Sequence, residues 1–294
     1  MVKRTKGGII FDIANTIFLI IISFISLYPF LYVIFASVSD SSALAVYRGM
    51  LFKPLGFSLG AYKAVFEQSD IITGYLNTII YVVFGTVINI VMTSLGAFVL
   101  SRKAFYWYKI LLPMAVFTMF FNGGLIPNFL LIKALGIYDT RWAILIPTAI
   151  STWNLFIMKT NFLAIPASLE ESAEIDGANS FVVFARIVMP LSMPVIAVMI
   201  LYYGVANWNS WFNAMVFLRD RNLFPLQLFL REILIANSTE EMMLSMDVGS
   251  ADIQRVSETV KYATIVVVTL PILCVYPFLQ KYFVKGVMVG AIKG

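Results

Sequence analysis

Six stretches of this chain, 13–39, 71–101, 110–132, 142–158, 187–218 and 262–280, contain no Asp, Glu, Lys or Arg. Crossing the roughly 30 Å hydrocarbon core of a bilayer takes about 20 helical residues, so each run has the length of a membrane span. With 60% hydrophobic and only 13% charged residues, the chain is far more apolar than a soluble domain, whose apolar fraction is about 45–50%. The expected fold is all-α: a polytopic membrane protein with about six transmembrane helices, at about 11–36, 71–101, 110–132, 142–160, 187–212 and 262–283. The basic residues Lys3, Arg4 and Lys6 precede a run well over the 7–15 residues of a signal-peptide core, which reads as an uncleaved first span.

Charge sets the expected orientation. With a cytoplasmic N-terminus and six crossings, Lys3, Arg4, Lys6, Arg102, Lys103, Lys109, Lys159, Arg186, Lys281, Lys285 and Lys293 fall inside. Only Arg48, Lys53, Lys63, Lys133 and Arg141 fall outside in short loops, the ones that weigh most in orientation. The expected arrangement is N-in and C-in, with one long external loop at 213–261. That loop has helical segments of its own, one beginning at Pro225 and one capped by Ser250. It serves either as an interfacial cover over the bundle or as a platform for an external partner.

Several chemistries are excluded by composition. The chain has no histidine and a single cysteine, Cys274, which removes Ser-His and Cys-His catalysis, internal disulfides and cysteine metal clusters. No catalytic residue, metal site or cofactor is expected, and no nucleic-acid partner. The span interiors carry no ionisable side chain, whereas ion-coupled carriers use such groups along their pathway. No GxxxxGK[ST] loop is present for binding ATP. Uphill movement of a solute would therefore draw its energy from a partner.

Amides and indoles are what the apolar runs do carry. Asn122, Asn128, Trp153, Asn154, Asn207, Trp208, Asn209 and Trp211 are the candidate groups along a solute path, with interhelical hydrogen bonding as the alternative use of such amides. FFNGGLIPNF reads as a helix break. From Lys109 to Phe121 is about 18 Å of helix, which puts Asn122, Gly123 and Gly124 beyond the midplane. Trp208 and Trp211 lie about 32 Å along the fifth run from Ile187, where a belt aromatic or a sugar-stacking platform would sit.

The acidic focus is EESAEIDGANSF, which puts Glu170, Glu171, Glu174 and Asp176 within seven residues between the fourth and fifth runs. The segment reads as a short helix with Ser168 as N-cap and Glu171 completing a capping box. Gly177 is its left-handed stop, and a second helical arm follows with Phe181, Phe184 and Val188. This elbow at 167–186 is either a well-capped solvated loop or a docking surface for a soluble partner.

Glu171-Ser172-Ala173, Asp176-Gly177-Ala178, Phe184, Ile187, Pro190 and Pro194 resemble the EAA motif of ABC importer permeases, with Ser172 in place of the usual first alanine. FFNGGLIP, DTRWAILIP, WNSWFNA, LRDRNLFPLQLFLR, YPFLQKYFVKG and the terminal GAIKG extend the likeness over nearly the whole chain. They point to the maltose-type carbohydrate-uptake branch, and within it to permeases for complex oligosaccharides in Gram-positive bacteria. The resemblance implies a multi-pass plasma-membrane subunit of a bacterium and alternating access driven by a partner. Its implied partners are a second homologous permease, a cytoplasmic ATPase dimer and an extracellular solute-binding lipoprotein. It also implies that the elbow is a coupling helix formed by Glu170, Glu171, Ala173, Asp176, Gly177, Ala178, Phe181 and Phe184. In it Glu171 would meet a basic group of the ATPase, Gly177 would form the turn, and Ala173 and Ala178 would pack closely; GAIKG would reach toward the ATPase. An ABC permease for another small solute, such as a glycerol phosphate, or a membrane scaffold docking a cytoplasmic partner are the rival functions.

Overall fold

A computed structural model describes residues 6–102, 106–244 and 259–274. Among these, every assigned element is helical, so the fold is all-α. The elements are α1 (Lys6–Ser37), α2 (Ser41–Val46), α3 (Gly60–Glu67), α4 (Ser69–Ser101), α5 (Tyr108–Phe120), α6 (Leu125–Ala134), α7 (Trp142–Leu145) and α8 (Thr152–Leu163). They continue through α9 (Ala167–Ile175), α10 (Ser180–Val183), α11 (Met189–Leu191), α12 (Met193–Trp208), α13 (Phe212–Phe217), α14 (Leu226–Leu244) and α15 (Thr259–Cys274). The second capped segment of the long loop, at Ser250, lies outside the described residues, as do Lys3, Arg4, Lys103, YPFLQKYFVKG and GAIKG.

The chain divides into two compact units. Among the described residues, one holds α1–α3 together with 230–244 and 259–270. Its small core is Ala36, Leu44 and Leu51, with Tyr32 and Tyr262 edge-to-face at 5.7 Å beside it. Asp40 caps α2 by accepting the N–H groups of Ser42 and Ala43 at 3.0 and 3.1 Å, the standard solution for orphan donors at a helix start. Along α1 the apolar side chains are exposed almost throughout, as suits a helix solvated by lipid.

The second unit, Asp70–Phe229 with 271–274, carries the candidate site. Its main core brings Ala97 and Leu100 of α4, Leu155, Met158 and Phe162 of α8, Val183, Phe184 and Val188, and Ile196, Met199 and Tyr203 of α12 into one cluster. Small and hydroxyl residues on α4 allow close approach; Thr93 is paired across helices, whereas Ser94 and Ser101 bond back to the carbonyls of Val91 and Phe98 in α4 itself. Thr93 Oγ1 and the Tyr203 hydroxyl are 2.6 Å apart, and that hydroxyl also accepts the Ser151 N–H at 3.1 Å.

The described residues include two unbroken helices long and apolar enough to cross a bilayer, Gly7–Ser37 and Ser69–Ser101, and a third if a bent pair counts as one span. Three of the apolar runs depart from single straight helices, each for a local reason. The run at 110–132 divides into α5 and α6. Phe121 is extended and Gly124 has φ +85°, a conformation glycine adopts without steric cost. The run at 142–160 divides into α7 and α8 around Pro147. In the fifth run, Ser180–Leu191 and Met193–Trp208 meet at 82°. Pro190 and Pro194 flank that bend, each removing an intrahelical donor. The helix carrying Trp208 therefore starts at Met193 rather than Ile187, and Trp208 lies about 22 Å along it rather than about 32 Å.

Around the Asp70 end of α4, a polar knot joins three segments. Asn77 donates to the carbonyls of Asn222 and Phe224 at 2.6 and 3.1 Å and accepts from Arg141 at 3.0 Å. The Tyr81 hydroxyl donates to the Leu223 carbonyl at 2.7 Å. Asp139, at φ +58°, accepts the backbone N–H groups of Arg219 and Asp220 at 2.7 and 3.0 Å. Those two bonds hold its carboxyl below the usual carboxylate range. A depressed folded pKa stabilises the fold above the ordinary carboxylate range, and that stabilisation is lost as pH falls through the lowered value. Asp139→Ala is expected to cost about 1–2 kcal/mol through lost bonds and left-handed strain. Asp139→Asn, which keeps an acceptor and tolerates that conformation, should stay near wild type at pH 7 and lose the acid sensitivity. Thermal unfolding of the purified protein between pH 7 and pH 3 measures both.

Candidate functional site

Helix α9 begins two residues earlier than its capping pattern predicts. Pro166, extended at φ −59° and ψ 129°, occupies the N-cap position and offers no side-chain cap, so Ser168 lies inside the first turn. Its carbonyl accepts the Ser172 hydroxyl at 2.8 Å instead. The capping box of Ser168 and Glu171 therefore does not form. The physical reason is that proline presets the helical φ and needs no N–H partner, so the helix can nucleate directly behind it. Glu171 is left exposed and carries no ion pair among the described residues.

The far end of α9 closes as a complete Schellman turn. The Ala178 N–H donates to the Ala173 carbonyl at 2.9 Å and the Gly177 N–H to the Glu174 carbonyl at 3.0 Å, with Gly177 at φ +84°. Ala173 and Ala178 are half-buried against the main core. Asn179 then caps the second arm, its Oδ1 accepting the Val182 N–H at 2.9 Å. That arm runs through α10, a π-helical turn at Phe184–Val188 and α11. The wider turn puts Phe184 and Val188 inside while Phe181 stays 70% exposed.

The four carboxylates of the elbow have different surroundings. Glu170 is ion-paired with Arg102 just past the end of α4, its side chain only 15% exposed. The Arg102 guanidinium lies over the Phe98 ring at 4.7 Å, and Phe98 packs on Phe184 at 5.2 Å. Glu171, Glu174 and Asp176 are exposed. Beside them stand Ile175, 87% exposed, and Phe181. An acidic surface with two large uncovered apolar side chains results, held on a stiff turn. Arg102 and Phe98 were not legible as partners of the elbow: Arg102 reads only as a span-flanking charge, 68 positions from Glu170.

The candidate path residues scatter. Asn122 and Asn128 are exposed at the break between α5 and α6, where Asn122 Oδ1 accepts the Gly124 N–H at 3.0 Å. Trp153 is 65% exposed at the start of α8, while Asn154 beside it is buried. Asn207 is committed to α4, donating to Asn89 Oδ1 at 3.1 Å, and so acts as an interhelical link. Asn209 is exposed and accepts from Gln227 at 3.4 Å; Trp211 stands edge-on to Phe212 at 5.5 Å. Trp208 is edge-on to Tyr75 at 6.4 Å, and its buried indole N–H has no acceptor among the described residues. It lines a cavity of about 580 Å³ with Val83, Thr86, Val87, Gly204 and Ile272. Among the described residues that lining is almost wholly apolar.

Comparison with known proteins agrees with this architecture. The profile of the family described as "Binding-protein-dependent transport system inner membrane component" matches residues 93–289. The chain is similar to the polygalacturonan/rhamnogalacturonan transport system permease protein YtcP of Bacillus subtilis (strain 168), with 41% identity over 97% of this chain and 99% of that protein. It is 40% identical to protein LplC of the same organism, over 99% of this chain and 97% of the other. Among solved structures, a bacterial ABC transporter involved in the import of the acidic polysaccharide alginate matches at TM-score 0.86 and 35% identity. That match covers 96% of this chain and 100% of the other. The apolar helices, the acidic elbow and a profile match over two-thirds of the length lead to one assignment: this chain belongs to the binding-protein-dependent transport system inner membrane components, the permease subunits of ABC importers.

Proposed function

We propose that this chain crosses a bacterial plasma membrane six times, N-in and C-in, and pairs with a second homologous permease. Together they form the path for an oligosaccharide delivered by an external binding protein, and a cytoplasmic ATPase dimer drives reorientation through the elbow. The observation that carries this is the elbow itself: an exposed Glu171, Glu174 and Ile175 on one face of a nine-residue helix closed by a left-handed Gly177. An exposed carboxylate beside uncovered apolar surface is what a docking site for a basic, partly apolar cleft requires. A stiff turn transmits the partner's movement where a floppy loop would absorb it.

The transported class follows from two relatives, whose names specify polygalacturonan/rhamnogalacturonan and the acidic polysaccharide alginate. Uronic-acid-containing oligosaccharides are therefore the proposed solutes. Uptake of a panel of labelled acidic and neutral oligosaccharides, by cells with and without this chain, tests that directly. Chain-dependent uptake of acidic members is expected. Uptake confined to neutral sugars would overturn the solute class, and no chain-dependent uptake of any oligosaccharide would favour the rival permease for another small solute.

The α5–α6 break is proposed as the stretch of this subunit that faces the path, because Asn122 and Asn128 are its exposed amides. Cysteine at either position should react with water-soluble thiol reagents in at least one nucleotide state of the assembled transporter. Protection in every state would remove these residues from the path.

A further inference from the structure

The two arms of the elbow grip the same turn of α4. Phe98 lies in the last turn of α4 and Arg102 just past its end, with the guanidinium over the ring. Arg102 holds Glu170 of the first arm, and Phe98 holds Phe184 of the second. The pair is not an ordinary surface contact, since the Arg102 and Glu170 side chains are only 27% and 15% exposed. The guanidinium is fixed further by the Phe98 ring and by a bond from Arg102 to Ser101 Oγ at 2.9 Å. Partly desolvated charge pairs with supporting contacts are screened far less than exposed ones.

The chain offers a second mechanical route out of the elbow, along its own backbone. That route runs through the π-helical turn and the 82° bend at Ser192 before reaching α12. The α4 route has no such break: α4 is continuous from Ser69 to Ser101 and bonds to α12 through Thr93 with Tyr203 and Asn89 with Asn207.

We propose that Arg102 and Glu170 are a positioning pair that makes α4 move with the elbow, so that partner movement reaches the upper half of α12 through α4 as well as through the backbone. This rests on the elbow being the coupling element, as proposed above. It assigns Glu170 to the inside of the subunit and leaves Glu171 for the partner.

The test uses the full transporter in proteoliposomes and reads solute carried per ATP hydrolysed, a ratio that loss of assembled protein does not change. Arg102→Gln and Glu170→Gln should each lower the ratio by about 2- to 30-fold, the range typical of residues that carry coupling between sites. The double Gln variant should be no worse than the worse single, because each single leaves one charge unpaired and the double leaves none. Either single at the wild-type ratio, or effects that multiply in the double, would overturn the pair. If an unpaired charge blocks assembly of the singles, the double variant decides alone: a lowered ratio supports the pair and a wild-type ratio rejects it. Glu171→Lys in the same vesicles separates the two levels. Wild-type transport by it would remove the coupling role of the elbow, whereas an inactive Glu171→Lys beside wild-type ratios in the Gln variants would remove only the pair.

Discussion

Glu171→Lys is expected to reduce solute uptake and solute-stimulated ATP hydrolysis to background while the subunit still reaches the membrane. The side chain is exposed, so reversal leaves no buried charge unpaired within the subunit and the fold is retained. No part of the helix depends on it, since α9 starts at Ala167 and the capping box is absent. Against a basic group of the ATPase, however, the reversal places like charges together, which costs several kcal/mol in a docked interface, or about 100-fold or more in affinity. Glu171→Gln removes the attraction without adding repulsion and should fall between the two. Uptake rates and ATPase rates in membrane vesicles report both effects, and wild-type transport by Glu171→Lys would end the coupling role.

Gly177→Val should be nearly as damaging by another route. At φ +84° a β-branched residue is strained, by about 1–2 kcal/mol or more, and the Schellman bonds from Gly177 and Ala178 hold only in that conformation. Relief of the strain would swing one arm of the elbow away from the other. A uniform loss of packing is not the cause, because a Cβ built at Gly177 meets nothing within 4 Å. Gly177→Asn, which tolerates left-handed backbone, should therefore retain much more uptake than Gly177→Val, by about tenfold. Equal losses in the two variants would mean that bulk against the docking partner matters rather than conformation.

Gly177 and the break at Gly124 were legible in the sequence because glycine after a polar or apolar helical run has few other uses, and both have positive φ. The all-α class was legible from the uncharged runs for a similar reason: lipid leaves few ways to pair a backbone. The start of α9 was misread by two residues because Pro166, extended at the N-cap position, begins the helix without a side-chain cap. The π-helical turn left no mark, since Phe181, Phe184 and Val188 satisfy an ordinary helical period; Phe184, at the start of that turn, packs on Phe98. The inward turn of Glu170 depends on Arg102, and the partnering of Asn207 on Asn89; both join helices far apart in sequence, which local pattern does not encode. Of the candidate path, the exposure of Asn122 and Asn128 follows from the break, whereas the burial of Asn154 follows from how α8 packs.

The central claim is that the elbow is the surface on which the cytoplasmic ATPase docks. A photo-reactive amino acid at Ile175, 87% exposed and one turn from Glu171, tests it in the assembled transporter. The account predicts a crosslinked adduct with the ATPase subunit on illumination, absent when the same group stands at the exposed Lys53 of a short external loop. An adduct with lipid or with an unrelated protein, and none with the ATPase, would contradict it.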